Sequence, residues 1–460
     1  MKLAQLEHRQ LSSPPKFFKL IGPSFIILGL GLGSGELILW PYLVANFGLG
    51  IIWGAVLGIS FQFFMNMEIE RYALINGESV FVGLARKFRF LPVWFLLSSF
   101  IPWIWPGIIA SSAAILGHIL GISQSHYLAI GLLVLIGAIL TLGPVLYQTQ
   151  ETLQKWFIFL GAPLIFLLAI LLAKTSDWQA LAQGIIGKGN NYWFLPVGIP
   201  LASFLAAFAY SGAGGNLNLA QSYYIREKGY GMGRYMGRIT SFLTGKKENL
   251  KITGTTFALD SHSLNRFRHW WKLMNLEHLL VFLIAGMATI LLLSLLAFST
   301  TYGLAGVEQG INFVLKEGII IGQRLFPFVG TLFLLIVALM LFATHLSVLD
   351  ATSRILSENM LLLLPQTSPV RLRSFFYIWL WLQILFGTLI FLFGIKEPLT
   401  LLTIGASLNA VAMFAHIGLT LWLNTTSLPL ALRPSWWRRG AMAAAFLFFG
   451  AFSLYTFLNL

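Results

Sequence analysis

Apolar runs close to 20 residues long recur from one end of this chain to the other, and no other feature limits its fold as severely. Coiled as an α-helix, a run of that length matches the hydrocarbon thickness of a bilayer. In lipid every backbone N–H and C=O needs a partner inside the protein, so such runs cross as helices. Eleven are read, at about 22–47, 49–67, 93–120, 127–147, 153–173, 195–224, 276–299, 327–350, 374–394, 398–423 and 440–458. The expected class is an all-α polytopic membrane protein with about 11 transmembrane helices. With 57% hydrophobic and only 10% charged residues among 460, an ordinary soluble domain is excluded.

Charge orients the spans. With the N-terminus inside, 25 of the 30 Lys and Arg residues fall on inner segments and 5 on outer ones. That asymmetry is the positive-inside signal, and a missed span would scramble it. It also accounts for the +14 formal charge without nucleic acid. An odd number of spans puts the C-terminus outside. The expected location is the inner (plasma) membrane of a bacterium. Cysteine is absent, so thiolate metal sites, disulfides and Cys nucleophiles are excluded.

Two of the spans are poor helix material. Gly31-Leu32-Gly33-Ser34-Gly35-Glu36 interrupts the first, and Ser211-Gly212-Ala213-Gly214-Gly215-Asn216 interrupts the sixth. A glycine costs about 1 kcal/mol against Ala in a helix interior. Loose backbone at membrane depth must face protein or a wet cavity. Glu36 adds an intramembrane carboxylate, which marks a functional site by default. One break alone reads as a close helix contact through small residues. Two at corresponding places, 180 residues apart, point to a transporter substrate site. Five spans follow from each break-bearing start, and because five is odd the second set is inverted. The chain, 1–460, is thus read as one transporter domain. It has an N-terminal cytoplasmic segment 1–19, a first repeat 22–173, a second repeat 195–423 and an extra helix 440–458. A basic cytoplasmic loop lies at 225–275 and faces anionic membrane lipid. Within it, Arg266–Lys272 is read as an interfacial helix leading into the seventh span, and a second amphipathic piece, about 307–323, lies on the outer surface.

The residues around the first break resemble those of the Nramp divalent-metal transporters. Gly22-Pro23, Gly33-Ser34-Gly35-Glu36, Phe47-Gly48 and Trp53 look like that family's first span, where the break reads Asp-Pro-Gly-Asn. Asn216-Leu217-Asn218-Leu219 is similar to its sixth span, where Met-Pro-His-Asn-Leu-Tyr-Leu-His is usual. The resemblance extends more weakly over spans 1–10. It implies a LeuT-like 5+5 inverted repeat with a divalent cation held between spans one and six. The family's metal-binding Asp falls on Gly33, its Asn on Glu36, its Met on Ala213, and its two histidines on Gly215 and Ala220. A site without the thioether favours hard cations such as Mg²⁺ or Mn²⁺. The expected substrate-binding positions are Gly33, Ser34, Gly35, Glu36, Tyr210, Ser211, Ala213, Asn216 and Asn218, with Glu36 and Asn216 on the metal. Loss of the histidines, and a third span with no acidic residue, leave an uncoupled carrier as an alternative to a proton-coupled one.

Weaker candidates for gating or a proton path are Glu68, Glu70, Arg71, His345, Asp350, Arg354 and Asn409. Glu68, Glu70 and Arg71 read first as an interfacial cluster. Asp350 and Arg354, at i and i+4, read first as an ion pair. His118 and His416 are read as helix-contact residues, and Trp103, Trp105 and Pro106 as packing and a kink. The alternative function is transport of an amino acid or small organic ion. Gly33-Ser34-Gly35 also resembles the Gly-Ser-Gly of the amino acid–polyamine–organocation superfamily, where backbone N–H groups hold a carboxylate. An enzyme is not expected, since no HExxH, Ser/His/Asp set or carboxylate cluster appears. Nor is a cofactor, because Gly245-Lys246-Lys247 lacks the Walker spacing.

Overall fold

The computed structural model describes residues 3–142, 146–237, 251–307, 310–364 and 371–458. Gly245-Lys246-Lys247 lies outside them. Nine helical stretches among the described residues are long and apolar enough to cross a membrane. The sixth span falls short of that length because it is broken, and a further helix, Trp436–Leu458, ends the described chain.

The first span is made of Pro23–Gly31, a turn at Leu32 and Gly33, π-helical turns over Gly35–Leu39, and Trp40–Phe47. The sixth is Leu201–Ala209, a non-helical link, a 3₁₀ stretch Gly215–Ala220, and Gln221–Lys228. The two run antiparallel through the centre. A Cβ on Gly31 would touch the backbone of Gly212, and one on Gly35 would touch the carbonyl of Tyr210. Trp40 packs edge-on against Phe204, 5.6 Å between ring centres. As numbers rise along one span they fall along the other, which is what an inverted repeat requires.

Spans four, five and nine turn large apolar side chains outward. Leu135, Phe159, Ile170, Ile378 and Leu385 are all exposed. On a soluble protein such a surface would aggregate, whereas in a bilayer it meets lipid. Spans one and six sit behind them, buried along almost their whole length.

Two helices run on past the apolar runs that mark them. The seventh span's apolar run begins near 276. Its helix starts at Ser261 and continues through π-helical turns at Leu279–Ala285 to Thr301. Arg266–Lys272 therefore belongs to a continuous helix. Phe267 and Trp270 are buried in it, and the N-terminal segment lies alongside, with Trp270 Nε1 donating to the Ser12 carbonyl at 2.6 Å. The eighth span runs Pro327–Leu363, 37 residues. That is about 55 Å at 1.5 Å per residue, well beyond a hydrocarbon core of about 30 Å. Its inner third is polar and buried, so hydropathy alone ends it too soon. A two-residue parallel pairing, Glu7–His8 with Thr255–Thr256, ties the N-terminal segment to the loop that precedes this seventh-span helix.

Candidate substrate site at two helix breaks

The breaks are held open by specific bonds. Gly214 (φ 73°) and Gly215 (φ 53°) take left-handed backbone that a side chain resists. A broken helix leaves N–H and C=O groups without their i,i+4 partners. Gln62 of the second span supplies replacements on both sides. Its Nε2 donates to the Ala209 carbonyl at 3.0 Å and its Oε1 accepts from the Gly214 N–H at 3.3 Å. Sequence reasoning missed Gln62, although an uncharged amide midway along an apolar run was a visible signal. Ser211 is held by Trp40, whose Nε1 donates to Ser211 Oγ at 2.9 Å.

The glycines of the first break also serve contact. A Cβ on Gly35 would stand 1.7 Å from the Tyr210 oxygen, and one on Gly33 would stand 2.2 Å from Thr344 Cγ2 of the eighth span. Both readings of these residues, close approach and interrupted helix, hold at once.

Around the sixth-span break the polar side chains face different partners. Asn216 donates from Nδ2 to Ser98 and Ser99 of the third span, at 2.7 and 3.0 Å. Asn409 of the tenth span donates to Tyr210 Oη at 2.9 Å. Its Oδ1 lies against Gly215, 1.8 Å from where a Cβ would be. Trp103 stacks flat on Tyr210, 5.4 Å between ring centres. Asn218 Nδ2 donates to the Gly215 carbonyl at 3.4 Å. Among the described residues the Oδ1 atoms of Asn216, Asn218 and Asn409 are buried without a hydrogen-bond partner.

Glu36 is buried and turned toward the seventh span. Its Oε2 accepts from Thr289 Oγ1 at 2.5 Å, while Oε1 has no partner among the described residues and faces Gly286. Glu36 and Asn216 thus bond to different spans, seven and three. Ser34 and Ala213 are buried beside the breaks. No cluster of three or more His, Asp or Glu suited to a metal occurs among the described residues. Any cation at the breaks would meet one carboxylate, amide oxygens and backbone carbonyls.

On the side of the breaks where the helices of spans two, six and eight end lies a layer of buried ion pairs. Arg354 donates to Asp350 at 2.8 Å, as the i,i+4 spacing implies, and also to Glu227 of the sixth span. Arg226 pairs with Glu358 at 2.9 Å, and Ser79 donates to the same carboxylate. Glu68 accepts from Arg71 at 2.8 Å and from Arg438 at 3.3 Å, with Arg71 stacked 3.9 Å over Trp271. Glu68 and Arg71 are buried, covered by the long seventh-span helix and the start of the last helix. Glu70 bonds Gln221 and stands beside His278. His345 is buried in the eighth span, its Nδ1 without a partner among the described residues. Glu227, Glu277, Glu358 and His278 lay outside the sequence-based candidates. Their pairing crosses the chain and carries no local spacing signal.

No family model and no curated protein sequence matches this chain. Solved structures match it in fold. A variant of the manganese transporter of Eremococcus coleocola superposes with a TM-score of 0.71 at 13% identity, over 98% of this chain and 89% of that one. The same transporter, in complex with an aromatic bis-isothiourea substituted compound, gives 0.68 at 13% identity, over 98% and 88%. Mhp1, a nucleobase-cation-symport-1 family transporter in a closed conformation, gives 0.58 at 12% identity, over 97% and 95%. At these identities the likeness is one of fold. The chain is an integral, multi-pass membrane protein. Its fold is the all-α, LeuT-like one, with helices one and six broken.

Proposed function

We propose that the chain is a transporter that moves a divalent cation across the membrane by alternating access, as a divergent relative of the Nramp transporters. One observation carries this reading. Glu36 is a fully buried carboxylate, three residues past Gly33 in a broken helix, with one oxygen bonded and the other unpartnered among the described residues. A carboxylate at that depth is costly, and a cation substrate offsets the cost. The amide oxygens of Asn216, Asn218 and Asn409 and the Tyr210 carbonyl complete an oxygen-only set. Such a set favours Mg²⁺ or Mn²⁺ over softer metals. Loading requires Glu36 to leave Thr289 and turn toward the sixth-span break while Asn216 keeps its bonds to Ser98 and Ser99. The buried pairs of Arg354, Arg226 and Arg71 form the inner gate, which parts when the cation leaves to the cytoplasm. The N-terminus is on that side and the C-terminus outside.

A small organic cation is the second reading. The flat Trp103–Tyr210 stack at the break favours it, since an aromatic wall suits an ammonium group. Calorimetric titration of the purified protein with Mg²⁺, Mn²⁺, Ca²⁺, amines and amino acids, beside Glu36→Gln, tests both. Metal binding that disappears in the variant supports the first reading. Binding of an amine with the metals silent replaces it with the second.

A further inference from the structure

Below the breaks, four elements converge on a cluster of titratable groups that the substrate reading does not use. Ser24, in the first turn of span one, donates its hydroxyl to Glu277 Oε2. The Gly22 N–H reaches Glu277 Oε1 at 3.4 Å. Ser24 Oγ also lies 2.8 Å from His278 Nδ1, and Glu70 Oε1 of span two lies 3.3 Å from the same nitrogen. Gln221 of span six donates to Glu70 at 2.6 Å. All five side chains are buried.

The hydrogen-bond pattern suits one arrangement of the hydroxyl and ring hydrogens, and the carboxyl proton belongs to the Glu70–Glu277 pair as a unit. The Ser24 hydrogen goes to Glu277, so Ser24 Oγ and Glu70 Oε1 both accept from a protonated His278 Nδ1. Nε2 is then the bare nitrogen. It is buried and has no partner among the described residues. The ring stacks between Phe63 and Phe282, at 5.5 and 4.7 Å. The cations that face the pair are engaged elsewhere: Lys228 with Glu151 at 2.7 Å, Arg438 with Glu68 and Asn275. Two buried carboxylates beside a neutral imidazole cannot both stay ionised cheaply, and such a pair titrates as a unit.

Tyr230 stands between the cluster and a cavity. A cavity of about 240 Å³ opens on the inner face, lined by Lys19, Lys228, Tyr230, Arg234 and Trp270 among others. Tyr230 faces Glu70 and Glu277 from this cavity and donates to the Leu20 carbonyl. Glu151 on span five also acts on Tyr230.

We propose that Glu70, Glu277 and His278 form a proton-binding site that latches the cytoplasmic half of span one onto span seven. With a proton held, Ser24 and Gly22 stay bonded to Glu277. Loss of the proton to the cytoplasm leaves two adjacent carboxylates, which draw in water and release Ser24. The proposal needs the fold and the cluster, and it stands whatever the cargo is.

The absence of cysteine in the natural chain makes the test direct. Leu20→Cys, at a fully buried position, and Phe18→Cys, at an exposed one on the same short helix, are each placed in the full chain in nanodiscs and reacted with a maleimide. The ratio of the two rates removes the pH dependence that the two thiols share, and the same ratio in the Glu70→Gln, Glu277→Gln background removes what is left. The ratio is expected to rise about tenfold between about pH 5.5 and pH 8.5, the range in which a histidine–carboxylate group exchanges protons. Glu70→Gln with Glu277→Gln is expected to abolish that rise. Ser24→Ala, which keeps both carboxylates and the long Gly22 contact and removes the stronger of the two latch bonds, is expected to give a high ratio at every pH. A flat ratio in the natural background overturns the proposal. So does a Ser24→Ala profile that still rises with pH as the natural one does, and this second test does not depend on the double variant folding.

Discussion

Gly35 and Tyr210 meet so closely that a methyl group on Gly35 would lie 1.7 Å from the Tyr210 carbonyl oxygen. This contact joins the two broken helices at their breaks, and backbone cannot retreat as a flexible side chain can. Gly35→Ala is expected to lower stability by about 3 kcal/mol or more, or to prevent folding, since overpacking a tight core costs of that order. Gly131→Ala is the control. It lies in the outward-facing fourth span with nothing within 4 Å of the added carbon, and it should change stability by no more than about 0.5–1 kcal/mol. Thermal unfolding in detergent reads both.

Gln62 replaces helical bonds on both sides of the sixth-span break. Gln62→Leu keeps roughly the size and removes both bonds, leaving the Ala209 carbonyl and Gly214 N–H buried and unpaired. A loss of about 2–4 kcal/mol is expected, about 1–3 for each unsatisfied group with partial relaxation. Gln62→Glu, when ionised, buries a charge against the Ala209 carbonyl, so it should cost at least as much at neutral pH and less at low pH, where the protonated acid can donate to Ala209. Unfolding midpoints of the three proteins decide the order.

Removing the Glu36 charge should separate binding from folding. Glu36→Gln is expected to weaken divalent-cation binding at least about 100-fold while leaving the melting temperature equal or higher. A buried carboxylate with one unpartnered oxygen costs stability, and a neutral amide relieves part of that cost. Calorimetry and thermal unfolding of the same preparation measure both. Cation affinity unchanged in the variant removes Glu36 from the site.

Arg354 holds two carboxylates, Asp350 and Glu227, inside the inner layer. Arg354→Ala leaves both buried without their cation, and a loss of about 3–5 kcal/mol is expected. Asp350→Asn with Glu227→Gln in the same chain should recover part of it. A double-variant cycle by thermal unfolding gives the coupling.

Glu317 lies on the short helix Asn312–Arg324 between spans seven and eight, near Thr300 at the end of span seven. Burial pushes its carboxyl up from 4.5 to about 8, with the hydrogen bond to Thr300 opposing. The folded state therefore holds a proton that the unfolded chain releases above about pH 4.5. Stability from this group is full below pH 4.5, falls as pH rises, and is lost through about pH 8. Glu317→Gln should flatten that part of the pH–stability profile, which melting curves across the range will show.

The class of this protein was legible in its sequence because the bilayer leaves so few options. Runs near 20 apolar residues, the bias of Lys and Arg to one side, and glycines clustered in two apolar runs depend on local composition. Each therefore shows in a single pass along the chain. The same local rule failed where apolar and polar burial part company. The eighth span goes on to Leu363, past Asp350, Arg354 and Glu358, because Glu227, Arg226 and Ser79 arrive from elsewhere to pair with them.

Those partners, and every bond that crosses the chain, belong to tertiary structure alone. Nothing near Gln62 shows that it spans the break at Ala209 and Gly214. Nothing near Glu36 shows that it turns to Thr289, 253 residues away, and not to Asn216. The sequence by itself determined that the backbone must be helical, where it is interrupted, and that a carboxylate lies at depth. Only the folded chain decided which polar groups satisfy one another, since an unpaired buried group is costly and the least costly partner is set by proximity in space.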